Sequence, residues 1–242
     1  MGKEKAKTIR LERLLSNLGY GGRKEMAMAI KNEWVSVDGS IIKNPSFQVN
    51  PYTAQVKLDG ENIDPISPMT IMLNKPEGYT CSHKDTGDLV YDLMPERFKS
   101  RKPAFSSIGR LDKYSTGQLL LTDDGDLLHR VISPKSNAKK HYHVTLRDDL
   151  NGNEAELFNT GEFYMDKDDK PLKPAIWIAE NKCSGIMILS EGRFHQIRRM
   201  FETIGNEVIT LHRFQTGGLS LNDLPKGEWR ILNDDDLKQV FL

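Results

Sequence analysis

The chain has 242 residues, 38% of them hydrophobic, with 34 basic and 34 acidic side chains and two cysteines. That length suits one large or two small domains, and no apolar run approaches the roughly 18 residues that a membrane helix needs. Cys81 and Cys183 each stand without a CxxC partner, which argues against a zinc ribbon or a disulfide framework and leads us to expect a reduced, cytoplasmic protein.

The first ten residues, MGKEKAKTIR, are charged and lead into no apolar run, so no secretory signal is expected. The zero net charge hides an asymmetry: residues 1–31 hold eight Lys/Arg against three Glu, while acid collects at Asp166, Asp168, Asp169 and Asp234–Asp236. A basic binding face would produce this pattern, and so would a solvated arm. Leu11, Leu14, Leu15 and Leu18 fall at i, i+3, i+4, i+7 and predict a helix over 10–18. Residues 22–33 predict a second helix, with Met26, Ala29 and Ile30 inward. In WVSVDGSII, Asp38-Gly39 is the favoured pair for a two-residue hairpin. Arg10, Arg13, Arg23, Lys24 and Lys31 would lie on the polar sides of this small module.

Residues 59–69, DGENIDPISPM, read as a linker. Beyond it come candidate strands at 70–74, 118–122, 141–146, 175–180, 185–190, 207–213 and 218–221, and candidate helices at 125–132, 152–160, 194–204 and 234–240. The order predicts an α+β chain: a small N-terminal α/β module over 1–62, a linker over 63–69, and a domain over 70–242 with a mixed, largely antiparallel sheet flanked by helices.

Two stretches carry chemistry. GRLDKYSTGQLLLT, residues 109–122, runs from a turn holding Asp112 straight into an apolar strand. Taken alone, Asp112 is a turn residue neutralised by Arg110 or Lys113. In EGRFHQIRRMFETIGN, residues 191–206, Ile197, Met200, Phe201 and Ile204 form a buried helical stripe flanked by His195, Arg198, Arg199 and Glu202. Arg198, beside Ile197, is a candidate bidentate partner for a semi-buried carboxylate; solvation on the polar face is its other reading, and the simpler one for Arg199. His141-x-His143 lacks a third ligand at zinc-like spacing. Asp166–Lys170 lacks the Gly and terminal Glu of a calcium loop. GYGGRK has no P-loop frame, and Ser106 and Ser107 no GxSxG elbow.

The residues then resemble a family. GRLDKYSTGQLLLTDDGDL resembles the GRLDxxTxGLLLLTxDG signature of pseudouridine synthases. NKPEGY at 74–79, KKHYHV at 139–144 and EGRFHQIRR at 191–199 resemble its NKPxGY, KxYxV and GRxHQ(I/V)(K/R)R elements. The stretch from RLERLLSNLGYGGRKEMAMAI to WVSVDGSII is similar to the S4 RNA-binding domain. Together with LHRFQTGGLSL, DDKPLKPA and HRVISPK, these place the resemblance in the RsuA type, which acts on small-subunit ribosomal RNA, over nearly the whole chain. Gln118 stands where the family usually has Leu, and Ser115 where it usually has Thr. A polar amide at the start of a buried strand needs a hydrogen-bond partner.

The resemblance implies an enzyme that converts a uridine in RNA to its C-glycoside isomer without cofactor or metal. Asp112 would be the essential aspartate, Arg198 the basic residue that holds it ionised, and Tyr142 the active-site tyrosine, able to stack on the displaced base or relay a proton. Ile197 would wall the pocket, Arg110 would enter the stack where the base is flipped out, and Lys75 would shape the floor, each with a structural role as the alternative. Arg10, Arg13, Arg23, Lys24 and Lys31 would meet phosphates. The implied partner is ribosomal RNA, free or in a partly assembled small subunit, with no membrane and a monomeric protein. Two other readings remain: a non-catalytic RNA-binding assembly factor, for which Gln118 is the sole support, and a synthase acting on the large subunit.

Overall fold

The computed structural model describes residues 8–82, 85–133, 136, 138–166 and 168–242. Pro134 and Lys135 of the HRVISPK stretch, and Lys167, lie outside them. The chain divides into two units, one made of residues up to 69 with 94–106 and 122–124, the other of 70–93, 107–121 and 125–242.

In the first unit, β1 (Ile9–Arg10) precedes helices α1 (Leu11–Asn17) and α2 (Arg23–Lys31). The leucine stripe of α1 meets Met26, Ala29 and Ile30 of α2 in a core closed by Val35, Val37, Val49 and Val56. Strands β2 (Val35–Val37) and β3 (Ser40–Ile41) form the expected hairpin. Asp38 and Gly39 both have positive φ, 50° and 80°, as a type I′ turn demands. Strand β4 (Gln48–Val49) pairs with β1. Strands β5 (Val56–Leu58) and β6 (Glu61–Asn62) join β2 and β3 in a four-stranded sheet of order β3-β2-β5-β6.

The stretch 59–69 departs from the linker expectation. Asp59-Gly60 repeats the positive-φ pair, at 51° and 80°, and turns β5 back into β6. Beyond it, Asp64 receives a fork from Arg97 Nε and Nη2 at 2.6 and 3.0 Å, beside the short helix α3 (Glu96–Lys99). Arg101 Nη2 donates to Pro65 O and to Asp123 Oδ2, and Asp123 Oδ1 accepts from Met69 N and Ser67 Oγ. Gly, Pro and Asp make tight turns as well as flexible links, so composition could not separate the two outcomes.

The second unit is built on a nine-stranded sheet of order β11-β12-β10-β13-β9-β7-β15, with β8 on β9 and β14 on β13. Its strands are β7 (Thr70–Lys75), β8 (Ser106–Ile108), β9 (Thr116–Thr122), β10 (Lys140–Leu146), β11 (Ile176–Ala179), β12 (Ser184–Leu189), β13 (Val208–Thr216), β14 (Leu219–Ser220) and β15 (Trp229–Ile231). Strands β10–β13 pair antiparallel in the order β11-β12-β10-β13, whereas β13 meets β9 in parallel. The sheet is therefore mixed and largely antiparallel, as expected. Helices α4 (Gly125–Ile132) and α7 (Asp234–Gln239) adjoin a cluster of Met72, Leu120, Leu127, Val131, Leu219, Leu232 and Val240. Trp177 and Phe158 stack edge-on against Phe201, which joins β11, α5 (Glu154–Asn159) and α6 (Gln196–Thr203). Among the described residues no helix is long and apolar enough to cross a membrane.

The parallel pairing of β9 and β13 positions the site, and it depends on one missing side chain. Gly117 lies opposite Arg213 at φ 102°, and a Cβ there would sit 2.1 Å from the Arg213 carbonyl oxygen. Gly117→Ala combines left-handed strain with a backbone clash and should lower stability by more than about 3 kcal/mol, read as a fall in the denaturant midpoint.

Candidate active site

Asp112 sits on a turn just before β9, closed by Ser115 N donating to Asp112 O at 3.0 Å. What lies beneath that turn is a buried cation. Lys75, the last residue of β7, is 0% exposed. Its Nζ donates to Pro76 O, Lys113 O and Ser115 O at 3.0, 3.2 and 2.8 Å. Gly78 N adds a bond to Lys113 O at 2.9 Å, and Cys81 Sγ one to Leu111 O at 3.4 Å. An ammonium with three donors is matched to three inward-turned carbonyls, two from the Asp112 loop and one from Pro76. Burial pulls the Lys75 pKa down to about 8, with Cys81, Asp112 and Glu77 opposing the fall. Lys75 thus shapes the floor from below and is sealed from any ligand, which removes it from the expected substrate contacts.

The Asp112 carboxylate, about one-third exposed, opens on a cleft of about 440 Å³. Tyr142, Leu189, Ile197 and Leu211 supply its apolar walls, and Arg110, Lys140, Arg193, His195 and Arg213 its basic groups. Sequence reasoning placed Asp112, Tyr142, Ile197 and Arg110 together, and the structure brings all four to this cleft. Tyr142 is 8% exposed on β10, and Arg110 is exposed at the rim.

Arg198 is elsewhere. Its Nη1 donates to Val208 O at 2.7 Å, its Nη2 is buried without a partner, and it lines a second hollow with Arg147, Arg199 and Glu202. The expectation that Arg198 holds Asp112 is therefore corrected. One residue along a helix is a rotation of about 100°, so with Ile197 facing the cleft Arg198 turns toward the start of β13. The basic group against Asp112 is His195, whose Nε2 lies 3.3 Å from Oδ1. His195 adopts the left-handed conformation, φ 49° and ψ 33°, immediately before α6. Phe194, exposed, stacks on its ring with centroids 3.9 Å apart.

That strained turn is clamped by residues remote in sequence. Arg193 N donates to Gln196 Oε1, and Gln196 Nε2 to Glu191 Oε1. Arg193 Nη1 and Arg199 Nη2 take the two oxygens of Asp168 at 2.9 and 2.6 Å, and Arg193 also bonds the carbonyls of Lys170 and Pro171. The two guanidinium groups hold the Asp168 carboxyl below the usual carboxylate range. The acidic stretch set aside as a calcium loop is the anchor of the cleft's lip.

His195, Lys140, Arg213 and Ser115 were not assigned roles from sequence. Two-residue alternation puts Lys140 on the face of Tyr142, and Leu211 on that of Arg213. That these faces meet follows only from the β10–β13 register, which sets Tyr142 opposite Arg213. The Gln118 amide is met on its nitrogen side: Nε2 donates to Leu219 O at 2.7 Å and to Met72 Sδ at 3.4 Å, while Oε1 is buried without a partner.

Residues 69–203 match the family model described as RNA pseudouridylate synthase. An RNA pseudouridine synthase of Bacillus subtilis is 36% identical over 235 residues, 95% of this chain and 97% of that protein. Ribosomal small subunit pseudouridine synthase A of Escherichia coli is 35% identical over 238 residues, 96% and 100% of the two chains. A crystal structure of a pseudouridylate synthase superposes with a TM-score of 0.67 at 32% identity, covering 96% of this chain and 99% of its own.

Lys75→Met removes two bonds to the Asp112 loop and one to Pro76 O, and should cost about 2–3 kcal/mol of stability while lowering activity more than tenfold, measured by denaturation and single-turnover assay. Burial also brings Lys140 to about 8. Charge present on both lysines below that pH is lost as pH rises through it, so the single-turnover rate should decline with a midpoint near pH 8. A rate flat from pH 7 to 9.5 would show that neither ammonium is needed.

Proposed function

Because the chain belongs to the RNA pseudouridylate synthase family and is an RNA pseudouridine synthase, we propose that it isomerises one uridine of small-subunit ribosomal RNA, with Asp112 as the catalytic group. The observation that carries this is a single carboxylate opening on a cleft walled by Tyr142, Ile197 and Leu211. The substrate class is supported by a relative, named for the small ribosomal subunit, that matches over its full length.

A base inside a helix cannot reach such a cleft, so the uridine is flipped out at a cost of a few kcal/mol. Arg110, exposed two residues before Asp112, is placed to fill the gap in the stack. Asp112 then acts on the sugar, as nucleophile at C1′ or as base at C2′, while uracil detaches, turns and rejoins through C5. Tyr142 stacks on the loose ring and keeps it from leaving. His195, whose Nε2 lies 3.3 Å from Oδ1, fixes the aim of that carboxylate in this reading. Reactant and product are isomers, so the reaction has no need of an oxidant, a reductant or an energy source.

Residues 1–62 are the RNA-binding module in this reading. Arg10, Arg13, Arg23, Lys24 and Lys31 are all exposed and none has an ion pair among the described residues, which leaves their charges for phosphates. Such contacts give affinity and register but no sequence information. The double substitution Arg23→Gln, Lys24→Gln should weaken RNA binding and reduce the slope of log affinity against log salt by about 1.5.

The direct test uses unmodified small-subunit RNA, naked and partly assembled, with pseudouridine mapped by carbodiimide labelling and primer extension. Wild type should produce one new stop, and Asp112→Asn should bind RNA normally while reacting about a thousandfold more slowly or worse. A stop of equal strength with the variant would remove Asp112 from the chemistry. Modification found only in large-subunit RNA would replace the substrate assignment.

A further inference from the structure

The floor of the cleft holds positive charge that no carboxylate among the described residues balances. Arg213 is 3% exposed, and its Nε donates to Gln118 O at 2.6 Å, which fixes the aim of the guanidinium. Among the described residues neither Nη has an acceptor, and neither is among the atoms sealed from solvent, so both open on the cleft that Arg213 lines. Tyr142 lies directly opposite across the ladder, and Lys140 is two residues from Tyr142 on the same face. Among the described residues Lys140 Nζ has one bond, to Ala138 O at 3.2 Å. Ser115 Oγ, wholly buried, lines the same space without a partner. Among the described residues no carboxylate is bonded to either cation. Lys140 is pulled down to about 8 by burial and then by the charges of Arg213 and Lys173. Unpaired cations beside Leu189, Leu211 and Ile197 are costly, and an anion entering the cleft would relieve that cost.

A bound nucleotide offers two kinds of negative charge, its phosphodiesters and its base. A guanidinium pinned to β9 through Nε cannot travel to the rim where a phosphate backbone passes. It meets whatever is inserted deepest, and the deepest part of a flipped nucleotide is its ring. We propose that Arg213, assisted by Lys140, is a catalytic residue that binds the uracil ring and stabilises the negative charge the ring acquires when the glycosidic bond breaks. This rests on the reading that a uridine occupies the cleft. Breaking C1′–N1 leaves the electron pair on N1, shared with O2 and O4. The sugar is left bonded to Asp112 at C1′, or as a glycal with its C2′ proton on Asp112. After the ring turns, C5 bonds to C1′ as the Asp112 oxygen leaves C1′, or as Asp112 returns its proton to C2′; C5 then loses its proton and N1 gains one, so atoms and charge balance and Asp112 is regenerated. Donors aimed in advance at developing charge in a water-poor site are the kind of contact whose loss is felt in rate rather than in binding.

The test is single-turnover reaction at saturating enzyme on small-subunit RNA carrying tritium at uridine C5, alongside the same RNA made with 5-fluorouridine, whose ring holds negative charge more easily. Arg213→Gln should slow tritium release about 10²–10³-fold with the RNA Kd changed less than threefold. On the fluorinated RNA, read as loss of the N-glycosidic bond after digestion, the deficit should be at least tenfold smaller. Arg213→Lys, which keeps the charge and loses the fork, should recover part of the rate. Lys140→Gln should fall about tenfold with the same narrowing, and it carries the test if Arg213→Gln fails to fold. Equal deficits on the two RNAs would assign these residues a structural role and overturn the proposal. A raised Kd with an unchanged rate and a shallower salt slope would assign them to a phosphate and overturn it too. Tritium release by wild type alone upholds the function and isolates this inference; no release by wild type from any RNA would overturn the function and the inference with it.

Discussion

A full positive charge buried out of reach of water is the constraint around which the site is organised. The Lys75 ammonium is tolerable only because three carbonyls converge on it, and two of them belong to the loop that carries Asp112. Left unmet, such a charge would cost several kcal/mol. The loop is therefore held by a need of β7 and not by its own weak turn propensity. The same bonds set where the Asp112 carboxylate leaves the chain, so the floor of the cleft and the position of Asp112 have one cause.

The walls follow a second division, between charge that is balanced and charge that is not. Around the lip, Arg193 and Arg199 are matched to Asp168, and their work is to hold a strained turn that presents His195 to Asp112. Inside, Arg213 and Lys140 are bonded to no acid among the described residues. The cations that hold the lip are neutralised, while those that line the cleft are kept open. The placement of both sets depends on the close approach of β9 and β13, which only a glycine at 117 permits.

Much of the architecture could be read one element at a time. The leucine stripe of α1, the Asp-Gly turn at 38–39 and the apolar runs that became β7, β9, β10 and β12 are local patterns whose meaning does not depend on distant residues. The stretch 59–69 was misread because Asp, Gly and Pro serve tight turns and loose links alike. Arg101 and Asp123, which tie its later part down, lie more than thirty residues away. Strand β15, three residues and partly exposed, has no periodicity long enough to announce itself.

The site shows the same boundary more sharply. Asp112, Tyr142, Ile197 and Arg110 were legible because each stands in a short stretch whose residue types are specific together. Arg198 was placed on Asp112 by the same logic and is not there, since a helix can offer either of two neighbouring residues to a cleft and the packing of Ile197 decides which. The amino-acid sequence by itself determined the longer elements, the family and the place of Asp112 in the family's signature, because those rest on patterns within a few turns of chain. Only the tertiary structure decided that His195 faces Asp112, that Lys75 is sealed beneath it and that Arg213 lies across from Tyr142, because strand register and burial are settled by contacts between segments tens of residues apart.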